Sequence, residues 1–281
     1  MRELRIVLTP FCNYNCFFCH SESIAEQIAL QLNPSDYEFM TRVAKDYLGW
    51  ETATITGGEP LISPIFGEVC EKLSHLGIKL TVVTNASLLA RPAEMLKDVA
   101  QVNVSLHTMD PNTYARITQT KYPLRKVLDT VVTTRALLPK LEMHLNYTVV
   151  KGLNDTDEDF EKLLWFARDV DAKAKFIDLS TEDDSLRTDA RDIVAQLEGL
   201  GFDIENKTAW QTHLDRGGEK TSVTRCPFNG RHSNLPPRDI FVDPNGTLYK
   251  SYGGLIQVDA LNDIKSRNAE RLVKKINFLL G

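Results

Sequence analysis

Cysteine is scarce in this chain, five in 281 residues. That is too few, and too clustered, for a secreted scaffold stapled by disulfides. Excess positive charge is missing as well. Lys and Arg number 33 against 38 Asp and Glu, a net charge of −5, which argues against a general binder of nucleic-acid backbones. No run approaches the ~18 apolar residues of a membrane span, and the opening stretch 4–8 is too short and wrongly flanked for a signal peptide. There is no low-complexity tract, no short-period repeat and no obvious linker. What is present, 42% apolar and 25% charged residues, suffices for a real core. The expectation is a soluble, cytoplasmic, globular α/β protein that takes neither nucleic acid nor a membrane as partner.

Apolar periodicity alternates along the chain between short β-like runs and longer helical ones. Strands are expected over 4–8, 52–56, 78–84, 102–106, 141–150 and 175–179. Helices are expected over 34–48, 64–75, 93–99, 111–118, 124–138, 156–170 and 185–200. Asn33 followed by Pro34 is a helix start, and Gly77 a helix stop. The acidic runs 155–159 and 182–184 read as helix N-terminal signals, not metal sites. Six strand–helix repeats imply a parallel sheet with helical crossovers, a partial (β/α)6 barrel over 1–200. The rhythm breaks in 201–281. There, Asp243-Pro244-Asn245-Gly246 marks a hairpin between 240–242 and 247–249, and a last helix is expected over 262–280. This segment is expected to extend over the barrel mouth and close it.

Cys12, Cys16 and Cys19 lie in Cys-Asn-Tyr-Asn-Cys-Phe-Phe-Cys, directly after the first strand. Three thiolates within eight residues of loop can converge on one centre, an iron–sulfur site or a zinc site that also uses His20. Three cysteines leave one corner of a four-iron cluster open to an outside ligand. After the second strand comes Thr56-Gly57-Gly58-Glu59-Pro60, whose paired glycines permit close approach of a ligand to the backbone or simply turn the chain.

A three-cysteine loop after strand one, combined with Gly-Gly-Glu-Pro after strand two, resembles the radical S-adenosylmethionine (SAM) superfamily. The resemblance runs from Arg5 to about Ser180. It implies that Cys12, Cys16 and Cys19 ligate a [4Fe-4S] cluster whose open iron holds SAM. It also implies that Phe18 lies near the adenine and that Gly57, Gly58 and Glu59 line the methionyl amino group. Reductive cleavage of SAM then yields a 5′-deoxyadenosyl radical that abstracts hydrogen from a substrate. A flavodoxin- or ferredoxin-type electron donor follows from the same resemblance. Within the superfamily, Val83-Thr84-Asn85, Asn103-Val104-Ser105-Leu106 and the run 146–155 look like the molybdenum-cofactor GTP cyclase branch. By that likeness Thr84, Asn85 and Ser105 contact SAM, and Arg5 and Asn146 face the substrate. Strand-end capping for Thr84 and Asn85, and a core amide for Asn146, are the bland alternatives.

Departures from that branch point to a different substrate. The branch holds a second cluster on three C-terminal cysteines, whereas only Cys70 and Cys226 remain here, and Cys70 reads as helix core. Arginines of the branch before the C-terminal turn fall at Asp239 and Phe241, with Arg231 and Arg238 near but out of register. His144 replaces a lysine. Cations for a triphosphate are thinned. His107, at a strand end where relatives carry an acid, faces the substrate or supports from behind, and His144 has the same two readings. Cys226, flanked by Arg225, Arg231, His232 and Arg238, is either a plain core thiol or a hydrogen-atom donor to a substrate radical. The glycines in 250–254 lie over the site or only turn the chain.

The reading is therefore an enzyme that uses one [4Fe-4S] cluster and SAM on a small biosynthetic substrate, a nucleoside or nucleotide favoured. A peptide-modifying enzyme, for example an epimerase with Cys226 as hydrogen donor, is the second reading. A zinc-stabilised binding protein without catalysis is the third.

Overall fold

The computed structural model describes residues 2–19, 29–89, 96–181, 183–226, 235, 239–250 and 256–281. Strands β1 (Glu3–Val7), β2 (Thr52–Thr56), β3 (Lys79–Thr84), β4 (Gln101–Ser105), β5 (Glu142–Val149) and β6 (Lys173–Asp178) pair in parallel, each with the next. Helices α1 (Pro34–Leu48), α2 (Phe66–Ser74), α3 (Pro111–Thr118), α4 (Leu124–Leu137), α5 (Asp157–Asp169) and α6 (Ala190–Gly199) supply the crossovers and lead out of β6. This is the partial (β/α)6 barrel, a sheet curled into a half-barrel with helices on its outer face.

Strand alternation sorts the side chains. Leu4, Ile6, Ala53, Ile55, Leu80, Val82, Val102, Val104, Leu145 and Phe176 point outward and share one core with the helices. Phe160 of α5 packs on Phe176 at 4.4 Å between ring centres and on Tyr147 at 6.0 Å. Burying side chains of this size stabilises by ~1.5–3 kcal/mol each. The inward face is polar. Arg5, Thr54, Thr81 and Gln101 share one register row, Asn103 and His144 the next, Ser105, Asn146 and Lys175 the one above.

The segment after α6 adds more sheet than the sequence suggested. β7 (Asp203–Lys207), β8 (Gln211–Arg216) and β9 (Glu219–Thr224) form a meander whose last strand pairs in parallel with β6. Gly217 and Gly218, at φ 61° and 95°, form the β8–β9 turn. At the other edge, β10 (Asp239–Val242) pairs in parallel with β1, and β11 (Thr247–Tyr249) and β12 (Gln257–Asp259) follow antiparallel. The Asp243–Gly246 hairpin is therefore present, closed by the Asp243 amide donating to the Thr247 carbonyl at 3.1 Å. Among the described residues the sheet has twelve strands, eight of them parallel in the order β10-β1-β2-β3-β4-β5-β6-β9.

Two expected helices differ. α6 starts at Ala190, not at 185, because the Asp183 carboxylate takes both the amide and the hydroxyl of Ser185 in a turn, and Asp189 is the cap. Thus Asp183 does not cap a helix. The helix expected over 262–280 is two, α7 (Leu261–Lys265) and α8 (Ala269–Leu280), parted at Arg267, which sits at φ 56°. The Arg267 guanidinium reaches Asp36 of α1 at 2.8 Å, and Asn268 caps α8. Of the helix expected over 93–99, residues 93–95 lie outside the described residues and 96–99 form a turn, the Val99 amide donating to the Leu96 carbonyl at 3.0 Å; His20, Glu182, Arg231, His232, Arg238 and 251–254 also lie outside.

Candidate metal and cofactor site

The cysteine loop leaves β1 at the C-terminal edge of the parallel strands, where α/β folds collect their ligands. Its first half runs beside the end of β2. The Leu8 amide donates to the Thr56 carbonyl at 2.9 Å, the Gly58 amide to Thr9 at 2.8 Å and the Glu59 amide to Phe11 at 2.8 Å. This contact explains the paired glycines. A Cβ on Gly57, which has φ 131°, would stand 2.5 Å from the Thr9 carbonyl oxygen, and one on Gly58 2.1 Å from that of Phe11. Here the close approach that glycine permits is made by the cysteine loop itself. The second half of the loop docks on the C-terminus of α3. The Asn15 amide donates to the Thr118 carbonyl and the Phe17 amide to Ile117, both at 3.1 Å. These carbonyls are among the last four of the helix, which have no partner within it. Tyr114 of α3 donates its hydroxyl to that of Tyr14 at 2.8 Å, and Asn15 reaches Gln119 at 2.9 Å.

Behind the loop stands Glu59, fully buried. One carboxylate oxygen accepts from the Thr84 hydroxyl at 2.8 Å and the Leu61 amide at 3.1 Å, the other from the Asn85 amide at 2.7 Å. Burial raises its pKa, and these donors pull it back down. Thr84, itself buried, also accepts from the Ala86 amide at 3.0 Å. Glu59 and Thr84 thus fix the end of β3 against the end of β2. Asn85 is held by Ser87, whose amide and hydroxyl both donate to its side-chain oxygen. Its amide nitrogen donates to Asn13 at 2.8 Å and approaches the Cys12 sulfur at 3.8 Å.

Cys12 and Cys19 are exposed, Cys16 is half-buried, and none is in a disulfide. Burial raises the Cys12 thiol, with the charges of Glu59 and Cys19 adding to the effect. Burial and then the neighbouring Cys19 and Cys12 push Cys16 up to about 12. A cationic centre bound beside Cys12 and Cys16 would reverse that shift and favour their thiolates. No three His, Cys, Asp or Glu side chains among the described residues converge as the ligands of a single ion would. Thiolates on one zinc share a centre ~2.3 Å away, whereas those on three corners of a cluster stand farther apart. Three cysteine thiols on one loop are a donor set that a four-iron cluster with one open corner would take.

The remaining site residues divide by depth. At the mouth, Phe18 stands edge-on to His107 at 5.0 Å. The His107 ring accepts the Thr148 amide at Nδ1, 3.1 Å, and burial lowers its pKa to about 4. Ser105 and Asn146 face each other across β4 and β5. Arg5 and His144 are deeper. Arg5 donates to Glu3 at 3.0 Å, lies 3.9 Å from Asp239 and covers the Phe241 ring at 5.3 Å. His144 meets Glu142 at 3.0 Å and Gln101 at 3.4 Å. Burial and the nearby Lys175 lower its pKa to about 4. Both are thus engaged by protein partners. Cys226 is buried just beyond β9, its amide bonded to Asp178 at the end of β6. Cys70 is core, its thiol pushed up to about 12 by burial.

Sequence reasoning missed Asn13, Ser87 and Asn154. The first lies inside the cysteine motif, and Asn85-Ala86-Ser87 carries the spacing of an Asx turn. Asn154 is fully buried and joins β4 to β5. It donates to the carbonyls of His107 at 2.6 Å and Thr148 at 2.9 Å, and accepts from the Val150 amide at 2.6 Å.

A half-barrel whose first strand delivers three cysteines to its C-terminal edge defines a class of cluster-bearing enzymes. Residues 6–166 match the model of the Radical SAM superfamily, and the chain belongs to that family. It is an enzyme, and its cofactors are a [4Fe-4S] cluster and SAM. It is similar to a probable GTP 3′,8-cyclase of Pyrobaculum aerophilum, 33% identical over 182 residues, which are 64% of this chain and 58% of that protein. The chain thus spans little over half the length of that relative. A probable GTP 3′,8-cyclase of Methanothermobacter thermautotrophicus is 30% identical over 261 residues, 88% of this chain and 82% of that one. The structure is similar to Streptococcus suis SuiB bound to S-adenosylmethionine, with a TM-score of 0.72 and 17% identity, covering 98% of this chain and 67% of that one. Membership of an enzyme family sets aside the reading as a zinc-stabilised binding protein. Among the described residues no helix is long and apolar enough to cross a membrane.

Proposed function

We propose that this radical SAM enzyme acts on a small, nucleotide-like substrate held against the polar inner face of the half-barrel. The observation that carries this reading is the cysteine loop, clamped between Gly57-Gly58 and α3 at the mouth of that face. Similarity to the Methanothermobacter relative over 88% of the chain supports the substrate class. Cys12, Cys16 and Cys19 would hold the cluster, and Phe18, Gly57, Gly58, Glu59, Thr84, Asn85 and Ser105 would border SAM. Bound there, the cluster and SAM would supply one-electron reductive cleavage and, from it, the capacity to abstract hydrogen from a substrate. The electron comes from a flavodoxin- or ferredoxin-type partner.

The chain's own residues position and exclude. Glu59 and Thr84 keep the strand ends rigid beneath the loop. Asn85 offers an N–H to the Cys12 sulfur. His107 and Asn146 face the substrate, while Arg5 and His144 form the floor of the cavity. Segment 201–281 completes the sheet on both sides and borders the mouth, which keeps water from the reactive centre. Cys226 serves as hydrogen donor or core thiol.

The test is anaerobic. Reconstituted and reduced protein receives SAM with GTP, other nucleotides, nucleosides or a peptide, and 5′-deoxyadenosine is quantified. A nucleotide-dependent rise, with deuterium passing from the labelled nucleotide into 5′-deoxyadenosine, supports the reading. A rise with the peptide alone would overturn the substrate class.

A further inference from the structure

The stretch 111–128 carries four cations, Arg116, Lys121, Arg125 and Lys126, and no acid, in a chain whose net charge is −5. It spans α3, the turn after it and the start of α4. All four side chains belong to exposed residues. Arg125 lies 3.9 Å from Asp129, while Arg116, Lys121 and Lys126 meet no carboxylate among the described residues. By contrast, Lys79 and Lys173 share Glu142, Lys162 meets Glu158 and Lys220 meets Glu205. Charge of one sign, gathered on one face and left unneutralised, draws and orients a partner of the opposite sign.

This face adjoins the cysteine loop. The Phe17 amide donates to the Ile117 carbonyl and the Asn15 amide to the Thr118 carbonyl, so Arg116 immediately precedes the carbonyls that hold the loop. From the α4 side, the Lys126 ammonium stands 5.9 Å from the centre of the Tyr122 ring, and that ring lies 6.4 Å from the ring of Tyr14. The Tyr14 amide in turn donates to the Cys12 sulfur at 3.4 Å. Lys126 is therefore linked through two tyrosine rings to a cysteine of the motif. Phe17, in the same loop, is exposed. An aromatic side chain beside a charged rim is the usual anatomy of a protein–protein contact.

An electron has to reach this loop from outside, on a carrier that docks, delivers and leaves. Complexes of that kind bury little surface, and charge governs their rate and orientation more than area does. We propose that Arg116, Lys121, Arg125 and Lys126 form the docking rim for a small acidic protein that carries one electron. On docking, one electron leaves the carrier's reduced cofactor and enters the oxidised cluster. The carrier is oxidised by one electron, and no covalent bond forms or breaks. The inference rests on the electron donor of the preceding subsection and adds where that donor docks and by which charges.

The experiment has two anaerobic readouts on cluster-loaded protein. One is its binding to immobilised acidic flavodoxin, and the other is the rate at which reduced flavodoxin, or dithionite, bleaches the cluster absorbance. Wild-type binding should weaken as salt rises. The double variant Arg116→Glu, Lys121→Glu should bind flavodoxin about tenfold or more weakly and accept its electron correspondingly more slowly. Its iron content and its reduction by dithionite should match the wild type. The pair Arg116→Gln, Lys121→Gln should show a smaller loss in the same direction and keeps the test intact if the charge reversal misfolds. Lys207→Glu, on the edge strand β7, should change neither readout. Flavodoxin binding and reduction unaltered in the double variant, or binding indifferent to salt, would overturn the docking rim and leave the donor standing. A single-stranded RNA that binds the wild type more tightly than flavodoxin, and is lost in the double variant, would overturn it in favour of a nucleic-acid surface. A wild type that dithionite reduces but flavodoxin neither binds nor reduces would overturn the donor of the preceding subsection as well, with the substrate reading untouched.

Discussion

Gly58 has backbone on the side where any other residue would carry a side chain. A methyl group there meets the Phe11 carbonyl oxygen at 2.1 Å, and neither partner is a flexible chain end. Gly58→Ala is therefore expected to push the cysteine loop off β2, at a cost of about 1–3 kcal/mol. Iron and sulfide per chain after reconstitution should fall, together with the cluster absorbance. Full iron content in that variant would contradict the clamp. The cysteine motif and Gly-Gly-Glu-Pro were legible in the sequence because each is a contiguous pattern. The reason for the glycines was not, because the partner is a loop some 47 residues away, the separation of Phe11 and Gly58. His144 was ambiguous for the same reason. Its fate is decided by Glu142 on its own strand and Gln101 on the next, and only the register brings the latter beside it.

Helix α1 was read to its terminal residues because its signals are local. Asn33 and Asp36 form a reciprocal capping box, Pro34 opens the first turn, and Gly49 ends the helix at φ 67°. The gap between α7 and α8 was not legible. Lys265 and Arg267 both turn to Asp36, more than 220 residues earlier, at 2.6 and 2.8 Å. A side chain drawn to a distant carboxylate overrides the local helical pattern. Asp36 is almost fully buried. Burial alone would raise its pKa, but the Asn33 amide, Lys265 and Arg267 together hold it below the usual carboxylate range. A carboxyl depressed in the folded state stabilises above its unfolded pKa of ~3.9, and that stability is lost as pH falls through the lower folded value. Thermal unfolding of wild type and Asp36→Asn should thus differ most near neutral pH, with the gap closing below about pH 4. A gap independent of pH would show that the ion pairs contribute nothing.

Across the whole molecule, the six parallel strands and the helices that follow all of them but β3 were legible, and the way they are flanked was not. Each unit is written in a run of about 30 residues. The pairings of β9 with β6 and of β10 with β1 join strands far apart in the chain, and no short-range pattern encodes them. The polar meander β7–β9 carries too few apolar residues to announce itself, with Leu214 and Val223 as its buried anchors. These pairings make 201–281 part of the same sheet. A chain cut after residue 200 would expose the edges of β1 and β6 and lose Ile240, Val242, Leu272 and Ile276 from the core. Such a fragment should be recovered only as aggregate, and a monodisperse, cooperatively unfolding fragment would contradict the single-sheet account.

The central claim is that Cys12, Cys16 and Cys19 present a cluster with an iron open to SAM. The most direct measurement is electron paramagnetic resonance of the reconstituted, reduced protein before and after SAM is added. The account predicts the signal of a reduced four-iron cluster that changes shape on addition of SAM and vanishes in Cys16→Ala. A signal unmoved by SAM, or one that survives loss of Cys16, would contradict it.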